Sequence, residues 1–416
     1  MKRMTRFAVT FAVTAGGLLV ARAASAQDAG TNPTCASLPH PVYMDGSSAF
    51  VPTVQAFAAK LGAESTPTTI VYLSPGSCAG VNAIASNTDL TGTANYFTLT
   101  GTTVNKLTCT LPSSGQKADI GVSDVFYGSC SAVAPAMPAT LKDFPGPVQA
   151  MEFVVAKSNT GTAYLTAAEA NIIYGCGAPG GIASFTQATD IFCRDQNSGT
   201  QIIISDNIGL SPATPAPPIC VSESGSGAVV SGIMSDTAMP NAAIGFLGAD
   251  VYDLNRASLG ALAFQAFGQT KAYYADSVPS ASDRQNVRDG HYTMWGYEHM
   301  FAYVNSSGVP TSADAAKVIN LITGAASDPN IGDFVQIEGK AGTIPLCAMG
   351  VQKVNDLPGY LSAASTAPTC TCAYVKAASG TAPASCVACG GSSDGGADAA
   401  AAGCTGGKTC QHGFCE

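Results

Sequence analysis

Four short segments rich in Ser, Gly and Thr recur through the first half of the chain, and each stands where an apolar run stops. They are Gly46-Ser47-Ser48, Gly76-Ser77-Cys78-Ala79-Gly80, Gly121-Val122-Ser123-Asp124 and Arg194-Asp195-Gln196-Asn197-Ser198-Gly199-Thr200. The runs before them (41–44, 69–73, 118–122 and 190–193) have strand length. Amphipathic stretches follow the first two: 50–61, with Val54, Phe57, Ala58 and Leu61 on one helical face, and 80–85. Strand, small-residue turn and helix in repetition predict an α/β domain. Its turns collect at the C-terminal ends of the strands, where open α/β sheets bind ligands.

Such turns also carry chemistry. Each offers backbone N–H groups and hydroxyls at a helix start, which hold an anion without a metal. Arg194 adds one guanidinium and Asp124 one acceptor carboxylate, a kit suited to a small tetrahedral oxyanion. Taken singly, each turn is an ordinary strand-to-helix connection, because helix N-caps favour the same residues. The set in this order carries the reading.

Lys2, Arg3 and Arg6, then an apolar run over 7–20 and the small residues Ala24-Ser25-Ala26, read as a signal peptide over 1–26. The run is short for a membrane span, and no later stretch is long and apolar enough for one. Charged residues make up 11% of the chain and the formal net charge is −9. Signal removal takes away four cations (Arg22 is the fourth) and leaves about −13, which argues against nucleic acid or an anionic membrane surface as partner. A small anion is still compatible, since local dipoles and one Arg outweigh a distant field.

Fifteen Cys in an exported chain imply disulfides, and the odd count leaves at least one thiol unpaired within the chain. Eight are scattered through the body; seven crowd the last segment. Further apolar or amphipathic stretches at 148–156, 166–174, 202–205, 225–234, 243–247, 292–304 and 313–323 extend the α/β pattern. The stretch 90–114, dominated by Thr, Gly and Asn, reads as a surface insertion, a hairpin tied through Cys109 to a body Cys such as Cys130. After Ser362 the composition turns to Ala, Ser, Gly and Cys, too little apolar area for a core. Cys404, Cys410 and Cys415 read as a disulfide knot; a zinc site using tail thiolates and His412 is the rival.

The order of the four segments resembles the type II periplasmic solute-binding proteins, specifically the phosphate-binding component of bacterial phosphate ABC importers. The likeness is carried by Gly46-Ser47-Ser48-Ala49-Phe50-Val51-Pro52, Gly76 to Gly80, Gly121 to Asp124, Arg194 to Thr200 and the strand Ala243-Ile244-Gly245-Phe246. The resemblance covers roughly Val42 to Leu361 and implies a two-lobed α/β fold closing around an oxyanion; the Cys-rich C-terminal tail lies outside it. Lobe I is 35–147, lobe II 148–290, the return to lobe I 291–361 and the tail 362–416. Carried over by position, Ser47, Ser48, Ser77, Asp124, Arg194, Ser198, Gly199 and Thr200 contact the ligand. Arg194 is the charged clamp, and Asp124 accepts a ligand proton, which selects phosphate over sulfate. One departure stands out: the family's Ser or Thr before Phe50 is Ala49 here. No cofactor and no metal are implied; the partners are a small oxyanion and an ABC permease, and the protein is a monomer.

Rival readings come from other classes. Gly76-Ser77-Cys78-Ala79-Gly80 has the form of a nucleophile elbow, making Cys78 the nucleophile of a hydrolase, but it needs a His and none of the four lies in a catalytic context. His291, Glu298 and His299 are metal ligands or hydrogen-bonded polar residues. Trp295 and the aromatic residues around it form a sugar-stacking platform or core packing. The Cys-rich tail favours a cell-surface or matrix protein that uses the fold for adhesion.

Overall fold

The computed structural model describes residues 32–130, 133, 136–235, 241–389 and 404–416. The signal-peptide segment lies outside the described residues. Strand β1 (Pro41–Gly46), helix α1 (Val51–Leu61), strand β2 (Thr69–Leu73) and helix α2 (Ser77–Ala85) come first. Then follow β3 (Asp89–Leu90), the hairpin β4 (Thr93–Thr100) and β5 (Thr103–Thr110), β6 (Gln116–Lys117) and β7 (Ile120–Ser123). The long strand β8 (Leu141–Ala156) leads to β9 (Tyr164–Thr166), α3 (Ala167–Cys176), β10 (Phe192–Arg194) and α4 (Gly199–Ile208). Next are β11 (Val221–Glu223), α5 (Ser226–Ser235), β12 (Ile244–Gly248), α6 (Ala249–Asn255), β13 (Leu259–Ala261), β14 (Ala263–Gln265) and α7 (Gln285–Arg288). The chain returns through β15 (Trp295–Tyr303), α8 (Ala313–Ile322) and α9 (Phe334–Ala341), and ends with β16 (Val351–Lys353), β17 (Leu361–Ala363), α10 (Thr371–Ser379), β18 (Cys410–Gln411) and β19 (Phe414–Cys415).

One curled sheet dominates, in the order β12-β8-β15-β7-β1-β2-β4-β5, with β13 also paired to β8. β7, β1 and β2 are parallel; β8 and β15 run antiparallel to each other over most of their length. Helix α1 begins at a Pro in its first turn and packs on β2, β4 and α9, burying Val54, Phe57, Ala58 and Leu61, the face expected from their spacing. The buried run of β8 packs on both faces and reads as continuous apolar sequence for that reason. Trp295, Tyr292 and Phe301 are core residues, which removes the sugar-platform reading.

The 90–114 stretch does form a hairpin, but it is more than a surface ornament. β4 pairs with β2 and extends the main sheet, burying Ala94, Phe97 and Leu111. Cys109 pairs with Cys35, which lies alongside because the Thr110 N–H bonds the Pro33 carbonyl at 2.8 Å; Cys130 pairs with Cys78 instead. The expected Cys109–Cys130 link is therefore corrected. Cys193–Cys220, Cys347–Cys370, Cys372–Cys386, Cys389–Cys410 and Cys404–Cys415 complete seven disulfides, and Cys176 is the free thiol. The zinc alternative falls with them: Cys389, Cys404 and Cys415 lie close together, but each sulfur is already in a disulfide. The tail borrows its core from the body, since α10 packs on α9 and buries Ala373 and Tyr374. No helix among the described residues is long and apolar enough to cross a membrane.

Candidate functional site

Because β7, β1 and β2 are parallel neighbours, the turns after them meet at one edge of the sheet. Ser47, in the turn after β1, donates its hydroxyl to Asp124 Oδ1. Ser47 Oγ in turn accepts the N–H groups of Ala49 at 3.1 Å and Phe50 at 3.3 Å, which caps the start of α1. Ala49 itself brings a methyl toward Gly248, where an added Cβ would lie 3.5 Å from it. Tyr72 of β2 holds the turn by donating to the Ser47 carbonyl at 2.6 Å. Ser77, first residue of α2, accepts the Asp124 N–H at 3.3 Å.

The opposite wall is built from β10, β11 and the helices that follow them. Arg194 is the last residue of β10, and its N–H bonds Gln201 Oε1 of α4 at 2.8 Å, locking strand end to helix start. Its guanidinium donates from Nε to the Glu223 carbonyl at 3.2 Å, from Nη1 to Ser226 Oγ at 3.2 Å and from Nη2 to Ser48 Oγ at 3.4 Å. Arg194 is 2% exposed, yet these hydrogen-bond partners are all neutral oxygens. Ser198, Gly199 and Thr200 form the buried start of α4. The walls touch there. The Cys78 N–H bonds the Asn197 carbonyl at 3.1 Å, and a Cβ at Gly199 would stand 2.8 Å from Asp124 Cβ and against Ser77 Oγ.

All eight residues singled out from the sequence (Ser47, Ser48, Ser77, Asp124, Arg194, Ser198, Gly199 and Thr200) thus lie at one locus where the starts of α1, α2, α4 and α5 converge. Seven are buried and Ser48 is half-buried. Burial pushes the Asp124 carboxyl above the ordinary range, opposed by the hydrogen bond from Ser47, by the neighbouring Glu298, by the Arg194 charge and by Ser77. Burial likewise pulls Arg194 down, against the charges of Asp124, Asp195 and Glu223.

Residues that the sequence did not assign to the ligand site complete the locus. Glu298 of β15 is fully buried, and neither of its carboxyl oxygens has a hydrogen-bond partner among the described residues; burial, then the charges of Asp124 and Asp250, push it well above the carboxylate range. Asp250, bonded at 2.7 Å by Gln149 Nε2, is pushed up to about 7 by burial, and Asp45 of β1 also to about 7. The available signal was a lone acid inside an apolar strand, because ionisable groups are seldom buried without a reason.

The rival chemistries find no support here. Cys78 is bonded to Cys130 and offers no thiolate, which overturns the hydrolase reading built on it. His299 bonds Asp143 at 2.8 Å and His291 bonds Asp289 at 2.7 Å, so neither joins Glu298 in a metal-ligating group.

No family model matches the chain, and no curated protein matches it. Solved structures do. A substrate-binding protein of ABC-transporter type with bound phosphate, from Clostridium perfringens, is 16% identical, covering 74% of this chain and 99% of that one with a TM-score of 0.48. A phosphate-binding protein from Stenotrophomonas maltophilia is 13% identical, covering 74% and 90% with a TM-score of 0.45. An ABC-type phosphate transport receptor from Vibrio cholerae is 15% identical, covering 73% and 99% with a TM-score of 0.44. At these identities and scores the functional reading rests on the site's own chemistry.

Proposed function

We propose that this is an exported, non-catalytic solute-binding protein that captures phosphate or a related tetrahedral oxyanion between two lobes, 35–147 with 291–361 and 148–290. The observation that carries the reading is Arg194: a buried guanidinium whose hydrogen bonds go to neutral oxygens, beside the helix starts that hold Ser47, Ser77, Ser198 and Thr200. The charges of Asp124, Asp195 and Glu223 act on it, but no carboxylate pairs with it directly among the described residues, so a bound anion supplies the missing charged partner. Helix N-termini and hydroxyls suit an oxyanion with several acceptor oxygens.

Asp124 supplies the selectivity. A buried carboxylate repels a fully deprotonated oxyanion but accepts a hydrogen bond from one that still carries a proton. Phosphate has such a proton near neutral pH and sulfate has none. Closure across the locus is the functional step, since a ligand touching both walls favours the closed state. The bound anion would then be presented to an ABC permease by a monomeric receptor.

Replacement of Asp124 tests the assignment. Asp124→Asn should narrow the preference for phosphate over sulfate by about tenfold or more, with a smaller loss in phosphate affinity itself. Equal losses for both anions in calorimetric titration would contradict the acceptor role.

A further inference from the structure

Strand β15 shows different chemistry on its two faces. Trp295, Tyr297, His299 and Phe301 lie on one side, their rings stacked or edge to face. Gly296 and Glu298 lie on the other, by the period of a strand. A Cβ at Gly296 would strike the Asp124 carbonyl, so the strand passes directly against the Asp124 backbone. Glu298, two residues on, lies on the same face of the strand as Gly296.

The pairing with β8 slips at this point. Tyr297 opposes Val148 and His299 opposes Pro145, so Gly146 and Pro147 together face Glu298 alone. Such a bulge re-aims a side chain, and Pro147 has no N–H to lose from the ladder. A Cβ at Gly146 would stand 2.8 Å from the Glu298 carbonyl oxygen, so the bulge needs Gly there.

Glu298 is 0% exposed, and neither carboxyl oxygen receives a hydrogen bond from a described donor. Two buried carboxyl groups held as neighbours cannot both stay ionised, so one holds the proton. Asp124 has Ser47, Ser77 and the Arg194 charge to support it as an anion. Glu298 instead faces acidic groups: Asp124 after β7, Asp250 of α6 and the Tyr72 hydroxyl of β2, which in turn neighbours Asp45 of β1. The proton belongs on Glu298.

We propose that Glu298 is a positioning residue for ligand selectivity, a neutral acid that donates a hydrogen bond to Asp124 and keeps it an acceptor for the ligand's proton. The proposal rests on the oxyanion reading of the site. When Glu298 loses its proton, a second negative charge stands behind Asp124 and repels the anion. When its donor is removed, Asp124 drifts toward the protonated form, which donates to sulfate rather than accepting from phosphate.

Two measurements test this. In ligand-free protein near neutral pH, the infrared difference between wild type and Glu298→Gln should contain the carbonyl stretch of a protonated carboxylic acid; its absence overturns the proposal. In phosphate and sulfate titrations, Glu298→Gln, which keeps a donor, should bind phosphate within about threefold of wild type at about pH 7 and lose less affinity by about pH 9. Glu298→Leu should narrow phosphate-over-sulfate preference by about tenfold, with Glu298→Gln restoring it. Unchanged pH profiles and equal selectivity in both variants would overturn the assignment. Failure of wild type to bind either anion would instead overturn the oxyanion reading, while the ligand-free spectrum still reads the acid pair by itself.

Discussion

Arg194 is the residue on which the site's electrostatics turn. Its guanidinium is held in place by the Glu223 carbonyl and by the hydroxyls of Ser226 and Ser48, which orient the charge without cancelling it. Arg194→Ala should weaken phosphate binding by about a hundredfold or more, because the anion is then left in a buried site without its cation. Arg194→Lys should recover only part of that, since an ammonium lacks the planar fork that these three acceptors engage. Calorimetric titration of both variants checks this, and equal affinity in wild type and Arg194→Ala would remove the clamp role. Arg194 and Asp124 were legible in the sequence because each stands next to a Gly/Ser turn. The place of Glu298 beside them was not, because it depends on a strand register and a bulge that no local pattern announces.

At the scale of elements, the parallel set β7-β1-β2 brings three turns to one edge, and the fourth arrives with β10 and α4. These strands and helices were readable from period and turn chemistry, because each buries one face and starts at small capping residues. The disulfide partners and the hairpin's place in the sheet were not readable, since both depend on which distant segments become neighbours. The Cys78–Cys130 bond ties the start of α2 to the segment following Asp124, so it fixes Ser77 relative to Asp124. Replacing both with Ser should cost about 2–4 kcal/mol of stability, seen as a lower thermal midpoint. Gly199→Ala probes the facing walls. Its Cβ would press on Asp124 and Ser77, so phosphate affinity should fall by about tenfold while the midpoint in ligand-free protein changes little. A fall in the ligand-free midpoint with unchanged affinity would show that the contact serves folding alone.

Across the whole molecule, the buried acids leave a signature in stability. Burial raises Asp206 to about 6, Asp45 and Asp250 to about 7, and Glu152 to about 8. An acid held above its unfolded value binds its proton more tightly in the folded state, so its contribution is full below about pH 4 and is lost as pH rises through the folded value. Ligand-free protein should therefore melt higher at about pH 5 than at about pH 8, by about 3 °C or more. Lys353, pulled down to about 8 and bonded to the Thr293 and Trp295 carbonyls, acts mainly above that window and in the opposite sense. A midpoint that rises steadily from about pH 5 to about pH 8 would contradict this account of the buried acids.

The most direct test of the central claim is calorimetric titration of the wild-type protein, freed of carried-over anion, with phosphate, arsenate and sulfate near neutral pH. Saturable binding of phosphate and arsenate with little response to sulfate is the predicted result. Silence toward all three, or equal binding of sulfate and phosphate, would contradict it.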